Sequence, residues 1–173
     1  MDRLLIIGSP GSGKSTLARE LAQLTGLPLV HLDMLYWNPD RTRVERDIFL
    51  DRLHKALEGD RWIIDGNYIS TMDMRMDYCQ TIIFLDYPVE VCLEGIANRV
   101  GTIRTDIPWV ETQLDLEFSQ YVQGFQQEVR PRVLELLEKH RAKEIHIFRD
   151  RNQTQVFLQE INQKGEQKYG TKF

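Results

Sequence analysis

Cysteine is scarce: Cys79 and Cys92 are the only two in 173 residues. They form no C-x-x-C pair, and no histidine stands at metal-ligand spacing from either, which argues against a disulfide framework or a thiolate metal site. Long apolar runs are missing as well. The longest near the N-terminus, Leu4 to Ile7, follows Asp2 and Arg3 and is far too short for a signal-peptide core or a membrane span. The expectation is a cytoplasmic protein with no membrane partner. Positive charge is in deficit, with 22 Lys and Arg against 26 Asp and Glu and a net charge of -4. That balance supplies no global attraction to nucleic acid and argues against direct DNA binding. No repeat, low-complexity tract or polar linker divides the chain, although the polar tail 162–173 is expected to fray. What is present is an ordinary globular composition, 42% hydrophobic and 28% charged, enough for one core and one domain over residues 1–173.

Short apolar runs alternate with segments of helical period, the pattern of βαβ units around a parallel sheet. Leu4 to Ile7, Pro28 to Leu32, Arg61 to Ile64, Thr81 to Leu85 and Glu144 to Phe148 are the five expected strands. Leu17, Leu21 and Leu24 share a helix face that Gly26 can end. Thr42 and Glu45 have capping-box spacing ahead of Phe49, Leu53 and Leu57. Pro88 suits the first turn of a helix bearing Val89, Cys92, Leu93 and Ile96. A longer helical pattern runs from about Trp109 to Val129, restarts at Pro131, and Val156 to Ile161 forms a closing helix. The expected fold is a three-layer α/β domain.

Gly8-Ser9-Pro10-Gly11-Ser12-Gly13-Lys14-Ser15-Thr16 matches G-x-x-x-x-G-K-[ST] between the first strand and the first helix. Its glycines let successive backbone N–H groups turn inward around the oxygens of a triphosphate, with the helix dipole behind them. Lys14 adds positive charge at the β- and γ-phosphates, Ser15 offers a hydroxyl to Mg²⁺, and Thr16 can cap the helix or touch the α-phosphate. No N-K-x-D guanine-reading motif is present, and the chain is short for a mechanical ATPase core. A compact kinase remains.

Ligands of an open parallel sheet sit beyond the carboxyl ends of its strands. Asp33, Asp65 and Asp86 each follow a strand, and each could serve a metal or acceptor or merely cap the next turn; Pro88 makes capping natural for Asp86. His31 has the position of a satisfied buried histidine. Tyr36 and Trp37 sit in a loop ending Asn38-Pro39-Asp40, as pocket wall or as packing. Arg99 and Arg104 flank Gly101 in a short lid, about 99–108, that could bring guanidinium groups onto the transferring phosphoryl group or simply end a helix. Arg41, Arg43, Arg46 and Arg75 are acceptor-side candidates or plain surface residues, and the run from Arg130 to Arg141 is a solvated helix face.

The phosphate loop resembles that of adenylate kinases, and Ile63-Ile64-Asp65-Gly66 resembles the strand-Asp-Gly after their third strand. His31-Leu32-Asp33-Met34-Leu35-Tyr36-Trp37-Asn38-Pro39, Trp62 to Tyr68, Ile83 to Pro88 and the Arg99/Arg104 pair are similar to adenylate-kinase-related P-loop proteins called topology modulation, or FlaR-related, proteins. The resemblance implies a five-stranded parallel sheet of order 2-3-1-4-5, helices on both faces, ATP and Mg²⁺ in the loop, Asp65 near the metal with Ser15, and a lid carrying Arg99 and Arg104. Where adenylate kinases place a monophosphate-gripping Arg shortly after Asp-Gly, this chain continues Asn67-Tyr68. The combined expectation is transfer of the γ-phosphoryl of ATP to a nucleotide or small hydroxylated acceptor, with Lys14, Asp33, Arg99 and Arg104 as the catalytic set. The alternative is a nucleotide-dependent regulator affecting DNA topology with little turnover.

Overall fold

The computed structural model describes residues 2–169. Five parallel strands, β1 (Arg3–Gly8), β2 (Leu29–His31), β3 (Trp62–Asp65), β4 (Thr81–Leu85) and β5 (Glu144–Phe148), lie in the order β2-β3-β1-β4-β5. This is the order the resemblance implied. Leu5, Ile7, Trp62, Ile64, Ile82 and Phe84 face one layer, and Leu4, Ile6, Ile63, Ile83 and Leu85 face the other. Consecutive buried apolar residues in β1, β3 and β4 are what a sheet covered on both faces requires.

The first layer contains α3 (Arg46–Leu57), α4 (Ile69–Tyr78) and α7 (Arg130–Lys139), and the second contains α1 (Lys14–Thr25), α5 (Val89–Asn98) and α8 (Arg151–Tyr169). Helix α6 (Leu116–Glu128) serves both, giving Phe125 to one cluster and Val122 to the other. Phe49, Leu53 and Leu57 on α3 are almost wholly buried, each worth about 1.5–3 kcal/mol of transfer free energy.

Several elements depart from the expectations. A short helix, α2 (Leu32–Tyr36), takes the last residue of the expected second strand and holds Asp33 and Tyr36, which were expected after the strand and in a loop. Helix α4 was not anticipated: its charged residues hide an apolar stripe at Met72 and Met76, four apart on one face. The capping box does not form. Asp40 takes the Thr42 hydroxyl at 2.6 Å and the Thr42 N–H at 2.9 Å, so Thr42 closes a turn instead. Trp109 lies outside any helix, since α6 begins only at Leu116, where Asp115 caps it by accepting from Phe118 N at 3.1 Å. Helix α8 extends to Tyr169, into the tail for which fraying was expected. Residues 170–173 of that tail lie outside the described residues.

Candidate active site

The carboxyl ends of β1, β2 and β3 open into a cleft of about 1540 Å³. Its floor is the turn from Gly8 into α1. Gly13 caps α1 in the left-handed region (φ 94), and a Cβ there would point into open space, so the first helical turn presents its free N–H groups to the cleft. The turn rests on α5 by a backbone approach that only glycine allows: a Cβ on Gly95 would stand 2.0 Å from the Gly11 carbonyl oxygen. Lys14 donates from Nζ to Ser9 O at 3.0 Å. Burial pushes its ammonium pKa down, opposed by the charges of Asp65 and Asp33.

The strand order brings the carboxylates together. His31 and Asp65 are register partners across β2 and β3, and His31 Nδ1 lies 2.6 Å from Asp65 Oδ1. A carboxylate can only accept, which assigns the proton to Nδ1. His31 is thus a largely buried histidine with its hydrogen bond satisfied, as expected, and it stands at the cleft where it orients Asp65. Asp33 accepts from the Tyr68 hydroxyl at 2.5 Å. Burial raises the Asp33 pKa, with the Tyr68 hydrogen bond and the Lys14 charge opposing. The phenol of Tyr68 is pushed up, first by its own burial and then by the charge of Asp33.

Arg75 explains why the 66–68 segment holds its shape. Fully buried on α4, it donates to the carbonyls of Gly66 at 2.9 Å, Tyr68 at 3.1 Å and Asn67. Neither expectation for it holds, since it is no surface residue and its donors are spent on backbone carbonyls and the Thr71 hydroxyl. Asn67 Oδ1 in turn accepts from Gly8 N at 3.0 Å, joining this segment to the phosphate loop. Asp86 is not a cap: it pairs bidentately with Arg130 (2.7 and 2.8 Å), and that pair removes both from the site.

The segment expected as a lid, about 99–108, lies within the irregular stretch 99–115 between α5 and α6. Glu111 takes Arg99 at 2.8 and 3.0 Å and Arg104 at 2.8 Å, and Gly101 N–H donates to Glu111 O at 2.6 Å. Asp106, 2% exposed, receives Arg104 Nε at 3.1 Å and the Ser15 hydroxyl. Burial pushes the Asp106 carboxyl up, but Arg104 and Ser15 outweigh it and hold it at about 2. The outer wall is aromatic: Tyr36 packs on Tyr68 (4.7 Å between centroids) and Trp37 on Trp109 (5.6 Å).

Pro10 to Thr16, Asp33, Asp65, Arg99 and Arg104 thus border one cleft, with Gly8 and Ser9 behind its floor. Sequence reasoning missed Tyr68, Asn67, Asp106 and Glu111. Arg104-Thr105-Asp106, a basic and an acidic residue two apart in the lid, was the available signal. The cradle fits a triphosphate with its cation. Ser12 Oγ is buried without a hydrogen-bond partner among the described residues, Gly13 leaves room for phosphate, and the Ser15 hydroxyl and Asp65 carboxylate are hard oxygen donors suited to Mg²⁺.

Residues 4–86 match a family model described as ATPase family associated with various cellular activities (AAA). No curated protein matches the sequence. Among solved structures, shikimate kinase from Acinetobacter baumannii in complex with shikimate superposes with a TM-score of 0.60 at 17% identity, covering 95% of this chain and 93% of that one. Shikimate kinase from Bacteroides thetaiotaomicron gives 0.56 at 18% identity over 95% and 98%. A gluconokinase from Sinorhizobium meliloti 1021 gives 0.52 at 16% identity over 95% and 89%. The chain has a P-loop NTPase fold resembling that of the small-molecule kinases.

Proposed function

We propose that the protein is an ATP-dependent kinase of a small hydroxylated acceptor, related to the adenylate-kinase-like topology modulation proteins and working in the cytoplasm. The observation that carries this reading is Asp33: a carboxylate held by Tyr68 at 2.5 Å, in the same cleft as Lys14 and the lid arginines. The phosphate loop binds the triphosphate. Ser15 and Asp65, the latter oriented by His31, would hold Mg²⁺, which when bound neutralises charge on the β- and γ-oxygens. Lys14, Arg99 and Arg104 stabilise the charge on the migrating phosphoryl group. Asp33 accepts the proton as the acceptor oxygen bonds to γ-phosphorus; the bond from that phosphorus to the β,γ-bridging oxygen breaks and ADP leaves. Because burial raises the Asp33 pKa, its base form gains with pH at values above the ordinary carboxylate range.

The test is ADP release by the purified protein with Mg²⁺ and ATP against a panel of nucleoside monophosphates, nucleosides and small hydroxylated metabolites, including shikimate and gluconate, with products identified by mass spectrometry. One acceptor should stimulate and appear phosphorylated. Asp33→Asn should lower kcat by about 10²- to 10⁴-fold with ATP affinity retained. ADP release indifferent to every acceptor, stimulation by double-stranded DNA alone, or full activity in Asp33→Asn would overturn the reading.

A further inference from the structure

The arginines around the cleft divide by what holds their guanidinium groups. Arg99 and Arg104 are tied to Glu111 and Asp106 over the phosphate loop. Arg75 is spent on three backbone carbonyls. Arg19 lies 3.9 Å from Asp106 and Arg151 begins α8, so beside α2 Arg41 and Arg43 are left. Both border the cleft from the turn that follows α2, the helix carrying Asp33. Neither makes an ion pair among the described residues.

Their surroundings hold them in place. The Arg43 guanidinium lies over the Trp37 ring at 5.6 Å and that of Arg41 over Trp109 at 5.9 Å, while the two indoles pack edge to face. Arg41 also donates to Val110 O at 3.2 Å. Its backbone is left-handed (φ 66), a conformation that costs a non-glycine residue about 1 kcal/mol or more. The Asn38–Thr42 turn imposes it, through Asn38 N to Thr42 O at 2.9 Å and Arg41 N to Asn38 O at 3.0 Å. A guanidinium over an indole keeps its in-plane N–H fork for a carboxylate or phosphate, and its side-chain entropy is already reduced.

We infer that Arg41 and Arg43 read an anionic group on the acceptor, which is therefore a small hydroxylated acid carrying a carboxylate or phosphate away from its reacting hydroxyl. This rests on the kinase reading and narrows it. The orientation follows from charge: Asp33 and Asp65 repel an anion at the inner end, whereas Arg41 and Arg43 attract one at the outer end, leaving the hydroxyl to Asp33. Arg41 also touches the lid through Val110 and Trp109, so an anion bound there bears on the lid.

The test uses acceptors in matched pairs on one skeleton: hydroxycarboxylates against their amides, and phosphomonoesters, including nucleoside monophosphates, against the parent alcohols. Binding is followed by tryptophan fluorescence without ATP, and turnover by ADP release. One class of acid should perturb the fluorescence, and which class does so distinguishes carboxylate from phosphate. Its neutral partner should bind at least 10-fold more weakly. The double variant Arg41→Ala/Arg43→Ala should weaken that binding, and raise the acceptor KM, by about 10- to 100-fold, with the KM for ATP within 2-fold of wild type. Circular dichroism checks that the variant folds, and Arg43→Lys should recover only part of the loss, keeping the charge without the fork. Neutral and acidic partners binding alike, no acid binding at all, or unaltered acid binding in the double variant would overturn the inference. Acid binding that depends on Arg41 and Arg43 but never yields a phosphorylated product would leave the anion site standing and remove the kinase reading instead.

Discussion

In the proposed reading, the phosphate side and the acceptor side of the cleft are built from different materials. The first is one contiguous stretch, Gly8 to Thr16, whose ligands are backbone N–H groups, one lysine and one hydroxyl at the start of α1. The second is assembled from α2, the turn after it, the 66–68 segment and the lid, with its shape held by side chains such as Arg75 and Glu111. Backbone chemistry on a fixed turn demands glycine and leaves a motif in the sequence. Side-chain chemistry can be met from many positions and leaves none.

Each half contains a cation withdrawn from water, half-buried Lys14 on one side and fully buried Arg75 on the other, and removing them should have opposite consequences. Lys14→Ala is expected to lower turnover on the order of 10³-fold, since a group aimed at developing charge is lost. It should not destabilise the fold. Burial has lowered the Lys14 pKa, so the folded state disfavours the charged form and the lysine costs stability at neutral pH. Steady-state kinetics beside thermal unfolding would show activity falling while Tm holds or rises; a large loss of Tm would contradict this. Arg75→Leu should do the reverse. Burial brings the Arg75 pKa down to about 9, yet its three carbonyl partners would be orphaned without it. The loss is about 3 kcal/mol, or roughly 6–12 °C in Tm, with ATP affinity much less affected. An unchanged Tm would show that the 66–68 segment does not depend on this strut.

The same contrast governs what the sequence could disclose. Strand positions and the phosphate loop were legible because apolar runs, glycines and Lys14 report directly on local conformation. The resemblance carried the strand order, but the meeting of His31 with Asp65 that this order permits was not foreseen. Helix α4 was obscured because Asp73, Arg75 and Asp77 read as surface charge, although Arg75 is wholly buried. Asp86 and Asp65 look alike at strand ends. Only the sheet order separates them, sending Asp86 to Arg130 and Asp65 to the cleft. The role of Tyr68 was illegible because its hydroxyl reaches a carboxylate 35 positions away, beyond any local pattern.

A smaller effect tests whether the phosphate side depends on what lies behind it. Gly95→Ala favours helix α5 by propensity, but its Cβ would meet Gly11 O at 2.0 Å, a backbone atom that must move. We expect about 1–3 kcal/mol of destabilisation and at least a 10-fold loss of ATP affinity, measured by calorimetry. Wild-type affinity in that variant would show that the loop tolerates displacement and that its sequence motif suffices.

The smallest expected effect lies where the two sides meet. Asp106 comes from the lid yet binds Ser15 of the phosphate loop, and Arg104 holds its pKa at about 2 against the burial that pushes it up. A carboxylate depressed in the folded state stabilises the fold above its ordinary pKa of 3.8 and loses that contribution as pH falls toward 2. Asp106→Asn should therefore lose about 1–2 kcal/mol at neutral pH and almost nothing at pH 2, so that the two stability curves converge between pH 4 and 2. Denaturant unfolding across that range measures it. Parallel curves would mean that Asp106 contributes packing rather than charge, and the lid would then be joined to the phosphate loop by shape alone.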